Sequence, residues 1–136
     1  MNHLYLDTSA LLKTYIAEEF TDQCREIIAQ YSNIYVSQIG ITEAMINMRK
    51  RLSTREFAFA AKLFKTDMAS FNVLDFDEVV SDLAIEISAS TSLATLDAIH
   101  IASVLSLSAR EMDFLTYDKA QRKAAKSLGL RTLLSR

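Results

Sequence analysis

Short apolar runs and longer amphipathic stretches alternate along this chain. The runs at 4–6, 34–36, 73–74 and 114–117, with a weaker one at 130–133, are brief and nearly all apolar, the mark of strands covered on both faces. Between them, 9–17, 20–31, 39–52, 54–71, 77–91, 96–108 and 119–128 carry the 3.6-residue spacing of amphipathic helices. In the stretch 77–91, Val79, Val80, Leu83 and Ile87 fall on one side. Strands alternating with helices predict an α/β domain whose central, mostly parallel sheet of four to five strands is flanked by helices. Ser53 and Thr54 offer hydroxyl caps to the helix beside them. Gly129 stands where a helix end calls for a left-handed residue.

Composition narrows the setting. The 136 residues fit one domain, residues 1–136, and half of them are apolar. A chain of this size buries roughly two-thirds of its unfolded surface, enough for a core without disulfides. No run approaches the roughly 20 apolar residues of a membrane span, and the start meets Asp7 too early for a secretion leader. Cys24 is the only cysteine, which excludes an internal disulfide framework and a thiolate metal cluster. These features predict a protein of the cytoplasm with no membrane partner. The net charge of −2 leaves a nucleic-acid partner open, because such binding depends on where the basic residues cluster.

Four acids sit where the chain changes direction. Asp7 closes the first run, Asp118 follows the run 114–117, Asp97 lies in the first turn of a helix, and Glu43 lies one turn into another. In an open parallel sheet the ligand crevice lies at the carboxyl ends of the strands, where Asp7 and Asp118 land. Glu43, Asn47 and Lys50 lie opposite an apolar stripe of Ile41, Ala44, Met45, Met48 and Leu52, so Glu43 can face a polar cleft. Convergent carboxylates repel one another, and a hard divalent cation relieves them. The absence of histidine and cysteine clusters favours Mg²⁺ or Mn²⁺ over zinc. Such an ion activates water and orients a phosphate, so phosphodiester hydrolysis is the chemistry expected. Taken singly, the acids have plainer readings. Asp97 and Asp118 suit helix starts, and Glu43 suits a solvated helix face.

At these residues the chain resembles the PIN-domain family, and within it the VapC-type toxins of toxin–antitoxin pairs. The resemblance is carried by Tyr5-Leu6-Asp7-Thr8-Ser9-Ala10-Leu11-Leu12-Lys13, by Ser37-Gln38-Ile39-Gly40-Ile41-Thr42-Glu43, by Leu96-Asp97-Ala98-Ile99-His100-Ile101-Ala102-Ser103, and by Leu115-Thr116-Tyr117-Asp118-Lys119 through Gly129-Leu130. Any one segment is weak, but four in this order are specific. The resemblance implies a PIN-like three-layer fold, dependence on Mg²⁺ or Mn²⁺, and endoribonuclease activity on structured RNA. It makes Asp7, Glu43, Asp97 and Asp118 the acidic quartet, with Ser9 and Thr116 as small hydroxyl residues beside it. It also implies a homodimer and a small antitoxin covering the active site. Ser108-Ala109 departs from the family, which usually carries a glycine before the fourth strand.

Other residues carry two readings. His100 shares a helix face with Asp97, and a packed, hydrogen-bonded histidine is a simpler reading than a base. Lys13 either meets phosphate or balances the acids, or is a plain surface lysine. Lys119, Arg122, Lys123 and Lys126 form a basic helical series, either an RNA-tracking stripe with Lys119 and Arg122 nearest the acids, or a solvated face. Arg49, Lys50, Arg51 and Arg55 form a second cluster with the same two readings. Phe57 and Phe64 lie a heptad apart and so offer a dimer or antitoxin surface, while Cys24 reads as a small apolar residue. Competing functions are a PIN nuclease of RNA processing without an antitoxin, an aspartyl-phosphate phosphotransfer domain, and a catalytically inactive binding module. The phosphotransfer reading is weakened by Ser9, where haloacid-type phosphatases carry a second aspartate.

Overall fold

A computed structural model describes residues 3–107 and 111–134. The elements run β1 (His3–Leu6), α1 (Thr8–Lys13), α2 (Thr21–Ala29), β2 (Asn33–Ser37), α3 (Gln38–Arg51), α4 (Thr54–Met68), β3 (Asn72–Leu74), α5 (Glu78–Ser90), α6 (Thr95–Leu105), β4 (Asp113–Leu115), α7 (Lys119–Ser127) and β5 (Arg131–Thr132). The five strands make one sheet in the order β3-β2-β1-β4-β5, and every pairing is parallel. β1 is central, with Tyr5 opposite Tyr35 on one side and Phe114 on the other.

The alternation of side chains along β1 divides the core. Leu4 and Leu6 point to the face covered by α1 to α4, where they meet Ile34, Val36, Leu11, Met48 and Phe64. Tyr5 points to the opposite face, with Phe114, Val80, Ile87, Ile101 and Ala125 from α5, α6 and α7. The result is the three-layer α/β arrangement expected. Among the described residues no single helix is long and apolar enough to cross a membrane. α5 and α6 pass that test only as a pair bent by 119°.

Most differences from the sequence reading are at element ends. The helix expected over 9–17 stops at Lys13, because Thr14 turns its hydroxyl onto the Leu11 carbonyl at 2.9 Å and competes with the helical ladder. The strand expected over 114–117 stops at Leu115, because Thr116 gives its side chain to the polar groups described below. Ser53 and Glu56 form a reciprocal capping box at the start of α4. Gly129 adopts φ 89°, and Leu130 N and Gly129 N return to the carbonyls of Ala125 and Lys126, closing α7 as a Schellman turn. The Ser108-Ala109 departure lies outside the described residues.

The surface expected from Phe57 and Phe64 is not there. Phe64 is 2% exposed and packs edge-on against Tyr15, while Phe57 is half-buried under the Arg49 guanidinium, 4.6 Å away. The position of α4 against the sheet, which a heptad count ignores, turns that stripe inward. Phe59, at 76% exposure, is the aromatic α4 presents to solvent. Cys24 is buried, as expected, with its thiol on the Ala10 carbonyl.

Candidate active site

Asp7 follows the last residue of β1 and caps α1. Its Oδ1 accepts from Ala10 N at 3.0 Å and Ser9 Oγ at 2.7 Å, and its Oδ2 accepts from Thr116 Oγ1 at 2.5 Å. Asp7 is 3% exposed, and its amide still donates to the Leu115 carbonyl across the sheet. Asp118 caps α7 in the same manner, accepting from Gln121 N at 2.9 Å, while its own amide donates to Thr116 Oγ1 at 3.1 Å. One hydroxyl thus touches both strand-end acids. Ser9 Oγ accepts from Tyr117 N at 2.9 Å and ties the loop after β1 to the loop after β4.

Glu43 reaches the same end of the sheet from α3 and is half-buried. Its Oε1 accepts from Thr8 Oγ1 at 2.6 Å and from His100 Nε2 at 2.9 Å, and His100 Nδ1 in turn lies 2.7 Å from the Tyr5 hydroxyl. Asp97 lies in the first turn of α6, and its main-chain carbonyl accepts from Gln121 Nε2 at 3.2 Å. Gln121 is fully buried, and its Oε1 lies 2.9 Å from Thr116 Oγ1, a second acceptor for that hydroxyl. Gln121 therefore joins the anchor of Asp97 to that of Asp7.

The electrostatics show that the four acids share one region. Burial raises the Asp97 carboxyl above its ordinary value, and the charges of Asp118, Asp7 and Glu43 raise it further. Burial also raises Asp7, against the nearby His100 and the hydrogen bonds from Thr116, Ala10 and Ser9. For Glu43, burial works against the charge, but the bonds from His100 and Thr8 outweigh it and its carboxyl lies below the ordinary value. Among the described residues, no lysine or arginine pairs with any of the four.

This donor set suits a hard cation. All the converging charges are carboxylates, and the mutual repulsion felt at Asp97 is what a divalent ion relieves. Among the described residues, no three histidine, cysteine, aspartate or glutamate side chains stand close enough together to hold a metal ion as they are placed. Mg²⁺ keeps several waters and takes only one or two carboxylates directly.

Comparison with known proteins places this geometry. The pattern of the PIN domain matches residues 4–127. Ribonuclease VapC46 of Mycobacterium tuberculosis is 33% identical over 130 residues, covering 96% of this chain and 95% of that protein. The chain belongs to the PIN-domain family. Its fold is similar to that of FitAcB from Neisseria gonorrhoeae, with a TM-score of 0.77 at 17% identity over 96% of each chain. It is also similar to a toxin–antitoxin complex from Klebsiella pneumoniae, with a TM-score of 0.68 at 17% identity over 86% of this chain and 88% of that one.

Within this PIN domain the basic candidates separate. Lys13 is neither a surface lysine nor free for phosphate. It is buried, lies 3.5 Å from Glu18, and sits 4.7 Å from the centre of the Tyr117 ring. Arg51 reaches the other oxygen of Glu18 at 3.0 Å. Lys119 is exposed at the start of α7, and Arg122 is buried one turn later, with Nη2 donating to the Thr116 carbonyl at 3.2 Å. The sequence reading overlooked Thr8, Gln121 and Tyr5. Thr8 stands beside Asp7, and Gln121 stands three residues after a helix cap, where a side chain turns back over the first turn. The spacing to Asp118 was therefore the available signal for Gln121.

Proposed function

We propose that this protein is a VapC-type endoribonuclease of the cytoplasm, the toxin of a toxin–antitoxin pair, which hydrolyses RNA phosphodiester bonds with Mg²⁺ or Mn²⁺ held by Asp7, Glu43, Asp97 and Asp118. The observation that carries this reading is the Asp97 carboxyl, which feels the other three acids, is offset only in part by His100, and has no lysine or arginine partner among the described residues. The PIN family and the 33% identity to a ribonuclease support the same chemistry. When bound, the cation supplies an activated water and neutralises charge developing on the phosphate. The chain's own part is to fix the oxygens. Thr116 and Ser9 hold Asp7, Gln121 steadies both helix starts, and His100 with Thr8 orients Glu43.

A small antitoxin covering these acids and a homodimer complete the proposal. The likeness in fold to a toxin–antitoxin complex supports the first. Exposed Phe59 and Leu63 on α4 supply apolar surface for the second. The test is cleavage of total RNA by the wild type and by Asp97→Asn, with Mg²⁺ or with chelator, beside growth on induction. Cleavage and growth arrest are expected only for the wild type with metal. Equal cleavage in chelator, or by Asp97→Asn, would overturn the reading.

A further inference from the structure

Tyr117 and Lys119, on either side of Asp118 in the chain, line a cavity of about 510 Å³ between the start of α2, the start of α7 and the segment after β5. That volume is within the range of sites that take small organic ligands. Its walls include Phe20, Tyr117, Lys119, Arg122 and Leu133.

Phe20 is out of place by every local rule. It holds φ 69°, the only non-glycine positive φ among the described residues, and a bulky side chain disfavours that conformation. It occupies the N-cap of α2 without supplying a capping hydrogen bond, where serine, threonine, aspartate or asparagine is preferred. It is 50% exposed, so the core does not demand it. What it does is lie nearly parallel to the Tyr117 ring, with centroids 5.7 Å apart and planes 18° apart.

Tyr117 directly precedes Asp118, so the chain itself links this pair of rings to the acidic site. The Tyr117 hydroxyl donates to Gln23 Oε1 at 3.0 Å, and Lys13 Nζ lies against the ring without lining the cavity. The platform is therefore braced before any ligand arrives. Two cations complete the walls. Lys119 is exposed and makes no ion pair among the described residues. Arg122 is 8% exposed, and its Nε is buried with no hydrogen-bond partner, a cost that an incoming anion offsets.

We propose that this cavity takes a nucleobase of the RNA beside the scissile phosphate, stacked on Phe20 and Tyr117, with an adjoining phosphate at Lys119. The inference rests on the ribonuclease reading and adds a base-binding subsite to it. A flat aromatic platform accepts any base, since every base has a π-face. The neighbouring lysine and arginine match the charge of the strand and leave a purely apolar peptide segment without a use for them.

The full chain lacks tryptophan, so Phe20→Trp places a single reporter in the cavity. In an Asp97→Asn background, which blocks cleavage, a single-stranded RNA decamer should quench that tryptophan saturably. A ribose-phosphate decamer without bases should not. Without the tryptophan, Phe20→Leu, which keeps bulk but no ring, should bind the decamer roughly tenfold more weakly, the scale of one lost stack. Phe20→Tyr should bind as the parent does. Phe20→Gly, which suits the left-handed backbone, should weaken binding equally without lowering the melting temperature. Parent-like affinity in Phe20→Leu, equal quenching by the base-free strand, or a tryptophan that responds only to a protein partner would overturn the subsite. Metal-dependent cleavage by the wild type separates the two claims. If RNA is cut and the Phe20 series is flat, only the subsite fails; if nothing is cut, the ribonuclease reading fails.

Discussion

His100 Nε2 donates to Glu43 Oε1 across 2.9 Å and joins α6 to α3 beside the acids. The carboxylate of Glu43 has no proton to give, so Nε2 carries one, and Nδ1 lies 2.7 Å from the Tyr5 hydroxyl. Burial, with the Asp7 charge next, drives the Tyr5 pKa far above its ordinary value, so Tyr5 keeps its own proton. His100→Ala should take the imidazole partner from the buried Tyr5 hydroxyl and let Glu43 swing. A loss of about 1–3 kcal/mol is expected, read by urea unfolding, with a larger proportional loss of RNA cleavage. His100→Gln, which retains a donor, should recover part of both. An alanine variant with wild-type cleavage would show that Glu43 needs no brace.

Gly40 tests the same contact from the other side. A Cβ there would lie 3.2 Å from His100 Cε1, closer than nearly all such contacts. Gly40 is the third residue of α3, so alanine there gains less than the about 1 kcal/mol it gains in a helix interior, while crowding of a packed site costs about 1–3 kcal/mol. Gly40→Ala should therefore lower stability modestly and cleavage more, because the crowding falls on the histidine that holds Glu43. Thermal unfolding and cleavage rate measured on one preparation check the split. Equal, small effects on both would remove His100 from the site's geometry.

The raised carboxyls set a pH dependence. In the metal-free protein, Asp7 and Asp97 hold their protons to a higher pH than in the unfolded chain. Their protonation supports the fold fully below the unfolded value, about 4 for a carboxylate, and that support is lost as pH rises through the folded values. Glu43 is shifted the other way, so its contribution is present above the unfolded value and lost as pH falls. With chelator, the melting temperature should therefore decline as pH rises above about 4. Asp97→Asn should flatten the decline, and Mg²⁺ should reverse it near neutrality. A metal-free curve that rises steadily with pH would contradict the electrostatics at Asp97.

Much of this was legible in the chain because it is local. Alternating periods marked the elements, and strand-end acids fall at the carboxyl edge of a parallel sheet whatever the loops do. What was not legible needs distances between residues far apart in sequence. Phe20 and Tyr117 meet only after the starts of α2 and α7 are both docked on the sheet, so nothing in either segment announces the pair. The readings of Lys13 stayed open between phosphate, the acids and the surface because helical spacing is silent about Glu18 and the Tyr117 ring, which enclose it. His100 read correctly as packed and hydrogen-bonded, but its partners, Tyr5 and Glu43, came from other elements.

The two phenylalanines of α4 separate burial from pattern. Phe64→Ala should destabilise by about 3–5 kcal/mol, since it empties a filled core position. At protein concentrations low enough to dissociate the proposed homodimer, Phe59→Ala should fall within about 0.5 kcal/mol of the wild type, as for other exposed side chains. Urea midpoints of the two variants at equal slope decide the matter. A mild Phe64→Ala would return that residue to the surface.

Asp7 offers the sharpest separation of chemistry from folding. Asparagine caps a helix as well as aspartate, so Asp7→Asn can still accept from Ala10 N and preserve the start of α1. It also removes a charge that burial opposes, so the metal-free variant should be at least as stable as the wild type. The ion loses its most buried carboxylate of the four. Mn²⁺ or Mg²⁺ should raise the melting temperature of the wild type by binding the folded state, and that increment should shrink in Asp7→Asn together with RNA cleavage. A variant that folds, melts with an undiminished metal increment and still cuts RNA would remove Asp7 from the metal site.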